Sequence, residues 1–116
     1  MKREFNLYLK DIIVCIGKIR EYTNSLDFKK FKENSMVMDA VIRNLEVIGE
    51  ATSQLPQEVK DRYPDMQWQE IKNLRNIVVP KYHSIDFEIL WDIIENKLGP
   101  LEIKIKRILK AESQKD

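Results

Sequence analysis

Met36 to Leu55 reads MVMDAVIRNLEVIGEATSQL. Val37, Val41, Leu45, Ile48 and Ala51 recur every three or four residues, so they line one side of a helix. No proline interrupts the stretch, and it lacks the two-residue alternation of a strand. Gly49 stands inside this pattern, where a glycine costs about 1 kcal/mol relative to alanine. A glycine there points to a neighbouring helix brought close to the backbone. The helix therefore needs partners, and the flanking sequence supplies them.

Upstream, Asn34-Ser35 breaks the chain, and Asp27 is placed to cap a short helix carrying Phe28 and Phe31. Before Asn24-Ser25, a first long helix is expected from about Arg3 to Thr23. Its stripe is Phe5, Leu9, Ile12, Ile13, Ile16, Ile19 and Tyr22. Downstream, PQEVKDRYP forms a helical turn between Pro56 and Pro64. Asp65 can cap a helix bearing Trp68, Ile71, Leu74 and Val78, and Ser84 or Asp86 can cap the last one. That last helix carries Phe87, Leu90, Ile93, Ile94 and Leu98, then Leu101, Ile105 and Ile108, with Pro100 expected to kink it. No segment reads as a strand, and no repeat is visible. The expected fold is all-α, an antiparallel four- to five-helix bundle with short extra helices, over residues 1–116 as one domain. A polar tail is expected from about residue 111. The stripes hold more large apolar residues than a small bundle needs inside, which suggests a homodimer.

The chain has 116 residues, 43% hydrophobic and 34% charged, with a formal net charge of +1. Those values describe a globular chain rather than a disordered one, and they exclude a general nucleic-acid binder driven by net positive charge. Any RNA contact must use a local patch. Cys15 is the single cysteine and His83 the single histidine, which excludes an internal disulfide, a multi-cysteine metal site and a histidine-pair site within one chain. Cys15, flanked by Ile12, Ile13, Val14 and Ile16, reads as a core residue. No cofactor site is expected. No signal peptide and no membrane span are visible, so the expected location is cytoplasmic.

Leu74 to Asp86, LRNIVVPKYHSID, crowds polar residue types where a core helix should run. Arg75 and Tyr82 are seven residues apart and share a face if the helix persists. Arg75 offers a rigid fork suited to phosphate, Asn76 a second donor, Tyr82 a hydroxyl, and His83 a group that titrates near neutral pH. Such a set can cleave RNA without a metal. A base deprotonates the ribose 2'-hydroxyl, the oxygen attacks the phosphate, and arginine balances the charge of the transition state. The plain alternative is a solvated arginine with Tyr82 and His83 packed at a helix end.

Here the sequence resembles the HEPN superfamily, and within it the HepT-like toxins of prokaryotic toxin–antitoxin pairs. The family motif is Arg, a polar residue, three variable residues, His, one variable residue, Tyr. In this chain it reads RNIVVPKY, Arg75 to Tyr82, followed by IDFEILW, Ile85 to Trp91. DAVIRNLEVIGEA, Asp39 to Ala51, resembles the family's second long helix, and PDMQWQEIKNLRN, Pro64 to Asn76, its lead into the motif. The likeness spans roughly residues 3–110. It implies a helical bundle that dimerises with the two motifs facing each other and cleaves RNA without a metal. It also implies a partner antitoxin, a nucleotidyltransferase of the MntA type, that transfers AMP to the motif tyrosine, here Tyr82.

The chain departs from the motif at its histidine, because position 80 is Pro80. Proline has no titratable group and no N–H, and it disfavours helical geometry at Val79. His83 lies outside the family spacing. Pro80 marks either a natural inactive member or a substitution that silences a toxin, and the codon in the chromosomal gene distinguishes these. Glu50, beside Gly49, is a candidate support for Arg75 or for the antitoxin, or an ordinary solvated carboxylate. Lys104, Lys106, Arg107 and Lys110, and separately Lys29, Lys30 and Lys32, could meet phosphates or simply face water. A non-catalytic helical module that docks with a nucleotidyltransferase is the rival reading.

Overall fold

A computed structural model describes residues 2–78 and 86–114, and among these every regular element is helical. Helix α1 is Lys2–Thr23, α2 Phe28–Glu33, α3 Ser35–Ser53, α4 Gln57–Arg62, α5 Trp68–Lys72 and α6 Leu74–Val78. Helix α7, Phe87–Asp92, runs through a π-helical turn, Ile93–Lys97, into α8, Leu98–Ser113. Helix α1 packs between α3 and α8, and α5 and α6 lie on α3. Arg20 near the end of α1 meets Glu102 near the start of α8, their atoms 2.6 Å apart, so these two helices run antiparallel. The all-α bundle expected from the apolar stripes is therefore present.

Capping residues set the helix starts. The Asp27 carboxylate accepts the Lys30 N–H at 2.8 Å, Asn34 Oδ1 accepts that of Val37 at 3.0 Å, and Asp86 accepts that of Ile89 at 3.1 Å. Each satisfies one donor that the first turn leaves unpaired. Phe5, Leu9, Ile12, Ile16 and Ile19 of the α1 stripe are buried, Ile13 is half-buried, and Cys15 joins the core. Burial pushes the Cys15 thiol pKa above its usual value. Tyr22, expected in that stripe, is exposed, and Thr23 is buried in its place. At 3.6 residues per turn, Thr23 lies nearer the line of Phe5, Ile12, Ile16 and Ile19. Its hydroxyl donates to the Ile19 carbonyl at 2.8 Å, which makes the burial tolerable.

Two expectations are corrected. The single helix expected from Asp65 is two short ones, and Asp65 does not cap it. Gln67 holds the capping position without a side-chain bond, and the chain turns at Asn73 between α5 and α6. Pro100, expected to kink the last helix, stands in the first turn of α8, which continues through it. It lacks an N–H, and its ring opposes the carbonyl four residues back. The strain is absorbed upstream by the wider π turn, in which the Leu98 N–H reaches the Ile93 carbonyl. The helix then continues to Ser113, beyond the start expected for the polar tail. Ala111 is half-buried and Glu112 completely buried.

Candidate functional site

Gly49 decides where the motif helix sits. A Cβ at this position would lie 2.9 Å from the Lys72 carbonyl oxygen and 3.0 Å from both the Cβ and the N of Arg75. Only a glycine lets α3 approach the α5–α6 turn so closely. The close neighbour implied by the sequence is thus the segment carrying Arg75. Leu74 and Ile71 are buried on the core side, so α6 is fixed in rotation and Arg75 emerges at the rim.

Arg75 is half-buried. Among the described residues its guanidinium has no hydrogen bond or ion pair. Asn76 is exposed, and its backbone N–H donates to the Asn73 carbonyl at 2.9 Å. Glu50 is exposed on α3 and makes no ion pair with Arg75. Pro80, Tyr82 and His83, the other residues singled out in the sequence, lie outside the described residues. The structure thus brings Arg75 against Gly49, with no side-chain partner for Arg75 among the described residues.

A second polar cluster was not foreseen from the sequence. Glu112 of α8 is fully buried. Arg62 Nε donates to its Oε2 at 3.1 Å and Nη2 to its Oε1 at 2.5 Å, and the Tyr63 hydroxyl donates to Oε2 at 2.6 Å. Burial and then this hydrogen bond push the Tyr63 pKa up to about 12. The bond to Glu112 also raises the pKa of Arg62. The cluster continues toward the motif, because Trp68 Nε1 donates to the Tyr63 and Lys60 carbonyls at 3.1 and 3.2 Å. Glu112 therefore ties α8 to α4 and, through Trp68, to the start of α5. A carboxylate in a polar C-terminal segment carries no periodic apolar signal, so this clasp was invisible in the sequence.

The basic clusters divide. Lys106 lies 3.7 Å from Glu102, and Lys32 stands over the Phe28 ring, 5.0 Å from its centroid. Lys97, Lys104, Arg107 and Lys110 are exposed and have no carboxylate within ion-pair distance among the described residues. A half-open groove of about 430 Å³ lies between α5–α6 and α7–α8. Ile71, Leu74, Ile93 and Leu98 floor it, and Glu70 and Lys104 stand at its sides. No group of three or more His, Cys, Asp or Glu among the described residues is placed to hold a metal ion. No helix among them is long and apolar enough to cross a membrane.

Comparison with known proteins adds an independent finding. The family model described as Ribonuclease HepT-like matches residues 12–108. A Methanocaldococcus jannaschii protein named "Putative RNase" is 38% identical over 110 residues, covering 94% of this chain and 90% of the relative. A Thermococcus cleftensis protein named "Probable ribonuclease HepT" is 33% identical over 110 residues, covering 95% of this chain and all of the relative. A Caldanaerobacter subterraneus relative, also named as an RNase, is 30% identical over 105 residues, with 90% and 94% covered. No solved structure matches.

Proposed function

This chain belongs to the HepT-like ribonuclease family, and from that membership we propose that it is the toxin subunit of a toxin–antitoxin pair, a metal-independent endoribonuclease of the HEPN class. The observation that carries the reading is Arg75, held against Gly49, half-buried and without a carboxylate partner among the described residues. An arginine fork in that state is suited to a phosphodiester. Arg75 binds the scissile phosphate and Asn76 supports it. The ribose 2'-oxygen loses its proton and attacks phosphorus. As that bond forms, the bond to the 5'-oxygen breaks, and the leaving oxygen takes up a proton. Arg75 offsets the charge gathered on the phosphate.

The acid–base role belongs to the position held by Pro80, which cannot perform it. A positioned acid–base group contributes roughly 10²–10⁴-fold, so the chain as written is expected to be slower by that factor. The reading includes a cytoplasmic homodimer, for which exposed Leu7, Val14 and Ile103 provide apolar surface. It also includes a MntA-type nucleotidyltransferase antitoxin that adenylylates Tyr82.

The test is RNA cleavage by this chain and by Pro80→His side by side, together with growth on expression. The proline chain should be nearly silent, and the histidine variant should cleave RNA and arrest growth. A folded Pro80→His protein that does neither sinks the proposal. Pro80 itself favours one rival, a non-catalytic helical binding module for a MntA-type nucleotidyltransferase. The rival predicts a stable complex with that enzyme and no cleavage by either protein.

A further inference from the structure

The groove beside the motif has a use that the proposed cleavage step does not claim. Its floor is apolar, formed by Ile71, Leu74, Ile93 and Leu98. Lys97 and Lys104, seven residues apart, stand on the α8 side, and Glu70 on the α5 side. Asp92 also borders the groove, but its carboxylate already accepts a hydrogen bond from Asn96 Nδ2 at 2.7 Å. Beyond Lys104, Arg107 and Lys110 continue the exposed cations along α8. Leu74 in the floor directly precedes Arg75 on α6, so the groove and the phosphate-binding arginine share one short helix.

The dimensions select among occupants. The groove encloses about 430 Å³, within the range of small-ligand pockets, about 300–1,000 Å³. A single nucleotide unit combines the needed features: a flat apolar base, a polar base edge and flanking phosphates.

We propose that this groove is a base-binding subsite for single-stranded RNA, next to the scissile phosphate. The base rests on the Leu74–Ile93 floor. Its exocyclic amine donates to Glu70, and Lys97 and Lys104 hold the neighbouring phosphates, with Arg107 and Lys110 extending the track. A carboxylate only accepts hydrogen bonds, and uracil's one donor, N3–H, is flanked by two carbonyl oxygens that repel it, so bases with an exocyclic amine are preferred over uracil. The inference rests on the ribonuclease reading and adds where the strand lies and which bases it favours.

The test is fluorescence anisotropy of the full chain with short labelled oligo(rC) and oligo(rU). Lys97→Glu/Lys104→Glu is compared with Lys29→Glu/Lys30→Glu, which makes the same charge change on exposed residues of α2. Near-UV circular dichroism verifies the fold of each. The groove pair should weaken binding by about tenfold or more and lower the slope of log K against log salt by about 1.4, two contacts at 0.7 each. The α2 pair should have a much smaller effect, and Glu70→Gln should narrow the preference for rC over rU. Equal losses from both lysine pairs overturn the subsite, because RNA would then sense only overall charge. No loss from the groove pair overturns it as well. So does an Ile89→Asp variant that splits a dimer while leaving RNA affinity intact, since a second copy would then be the occupant. Loss of binding in Arg75→Ala with none in the groove pair leaves the ribonuclease reading standing and rejects the groove alone. Absence of RNA binding by every variant, Pro80→His included, rejects the ribonuclease reading itself.

Discussion

Two polar clusters lie on connected helices and are built in opposite ways. Around Glu112 every contact is closed: the carboxylate is fully buried, Arg62 grips it with two nitrogens, and Tyr63 adds a third bond. Around Arg75 the contacts are open: the backbone is pressed against Gly49, and the guanidinium has no partner among the described residues. The buried charge in the first cluster is tolerated because its lone pairs are met. The second has a rigid base and, among the described residues, no partner for its tip, the combination expected of a residue that waits for a ligand. Among the described residues, pairing separates a charged residue that holds the fold from one proposed to do chemistry.

The comparison breaks first at Glu112. Glu112→Ala removes the acceptor for Arg62 and Tyr63 together and should give the largest fall in melting temperature of the substitutions considered. Glu112→Gln should fall less, since an amide oxygen still accepts one bond. If both variants melt like the parent, the clasp is not structural. Gly49→Ala comes next. A Cβ within 3.0 Å of the Lys72 oxygen and the Arg75 backbone forces helices apart, at a cost of about 1–3 kcal/mol. Gly17→Ala is the control, because nothing lies within 4 Å of that site on α1, and the exchange should stabilise by about 0.5–1 kcal/mol. Denaturant melts of the two variants should move in opposite directions. Movement in the same direction would remove the evidence for a tight α3–α6 contact.

These two clusters also mark what the sequence could convey. Gly49 was legible, because a glycine that interrupts a strong apolar period has a physical cost that demands a reason, and the reason is the Arg75 segment. The stripes of α1, α3 and α8 were legible because burial repeats every three or four residues. Tyr22 was misplaced because an aromatic at the edge of a stripe looks like core, while Thr23 hides its burial behind a bond to its own helix. The α5–α6 break was hidden because Asn73 is an ordinary helix residue until a neighbouring backbone bends the chain. Glu112 was hidden most completely, since its partners Arg62 and Tyr63 stand about fifty positions away in sequence. Polar burial has no period. It depends on tertiary pairing, which one sequence does not display.

A smaller effect follows from pH. The Tyr63 pKa lies near 12 in the folded chain and near the ordinary 10 when unfolded. Below about pH 10 both states keep the phenol proton, and the clasp's contribution is complete. Between about 10 and 12 the unfolded chain loses that proton while the folded chain holds it, so stability falls as pH rises. The stability difference between the parent and Tyr63→Phe should therefore be flat below pH 10 and shift against the parent above it. Taking that difference cancels groups common to both, including Lys60, whose pKa burial and then Lys72 hold down. A difference that stays level up to pH 12 would show that Tyr63 is not engaged as described.

The smallest expected effect on stability is the most informative about function. Arg75→Ala keeps the Cβ that meets Gly49 and deletes only a guanidinium without a partner among the described residues. Its unfolding free energy should match the parent's within about 0.5 kcal/mol, the range of substitutions that break no named interaction. RNA affinity should drop in the same protein, because the fork proposed to grip phosphate is gone. Arg75→Lys separates charge from geometry: a point charge retains part of the affinity, but it cannot make the paired, planar contact of a guanidinium. A variant that keeps its stability and loses RNA would make Arg75 the open counterpart of Glu112. A variant that instead unfolds as readily as Glu112→Ala would make Arg75 a second structural clasp, and the distinction between the two clusters would collapse.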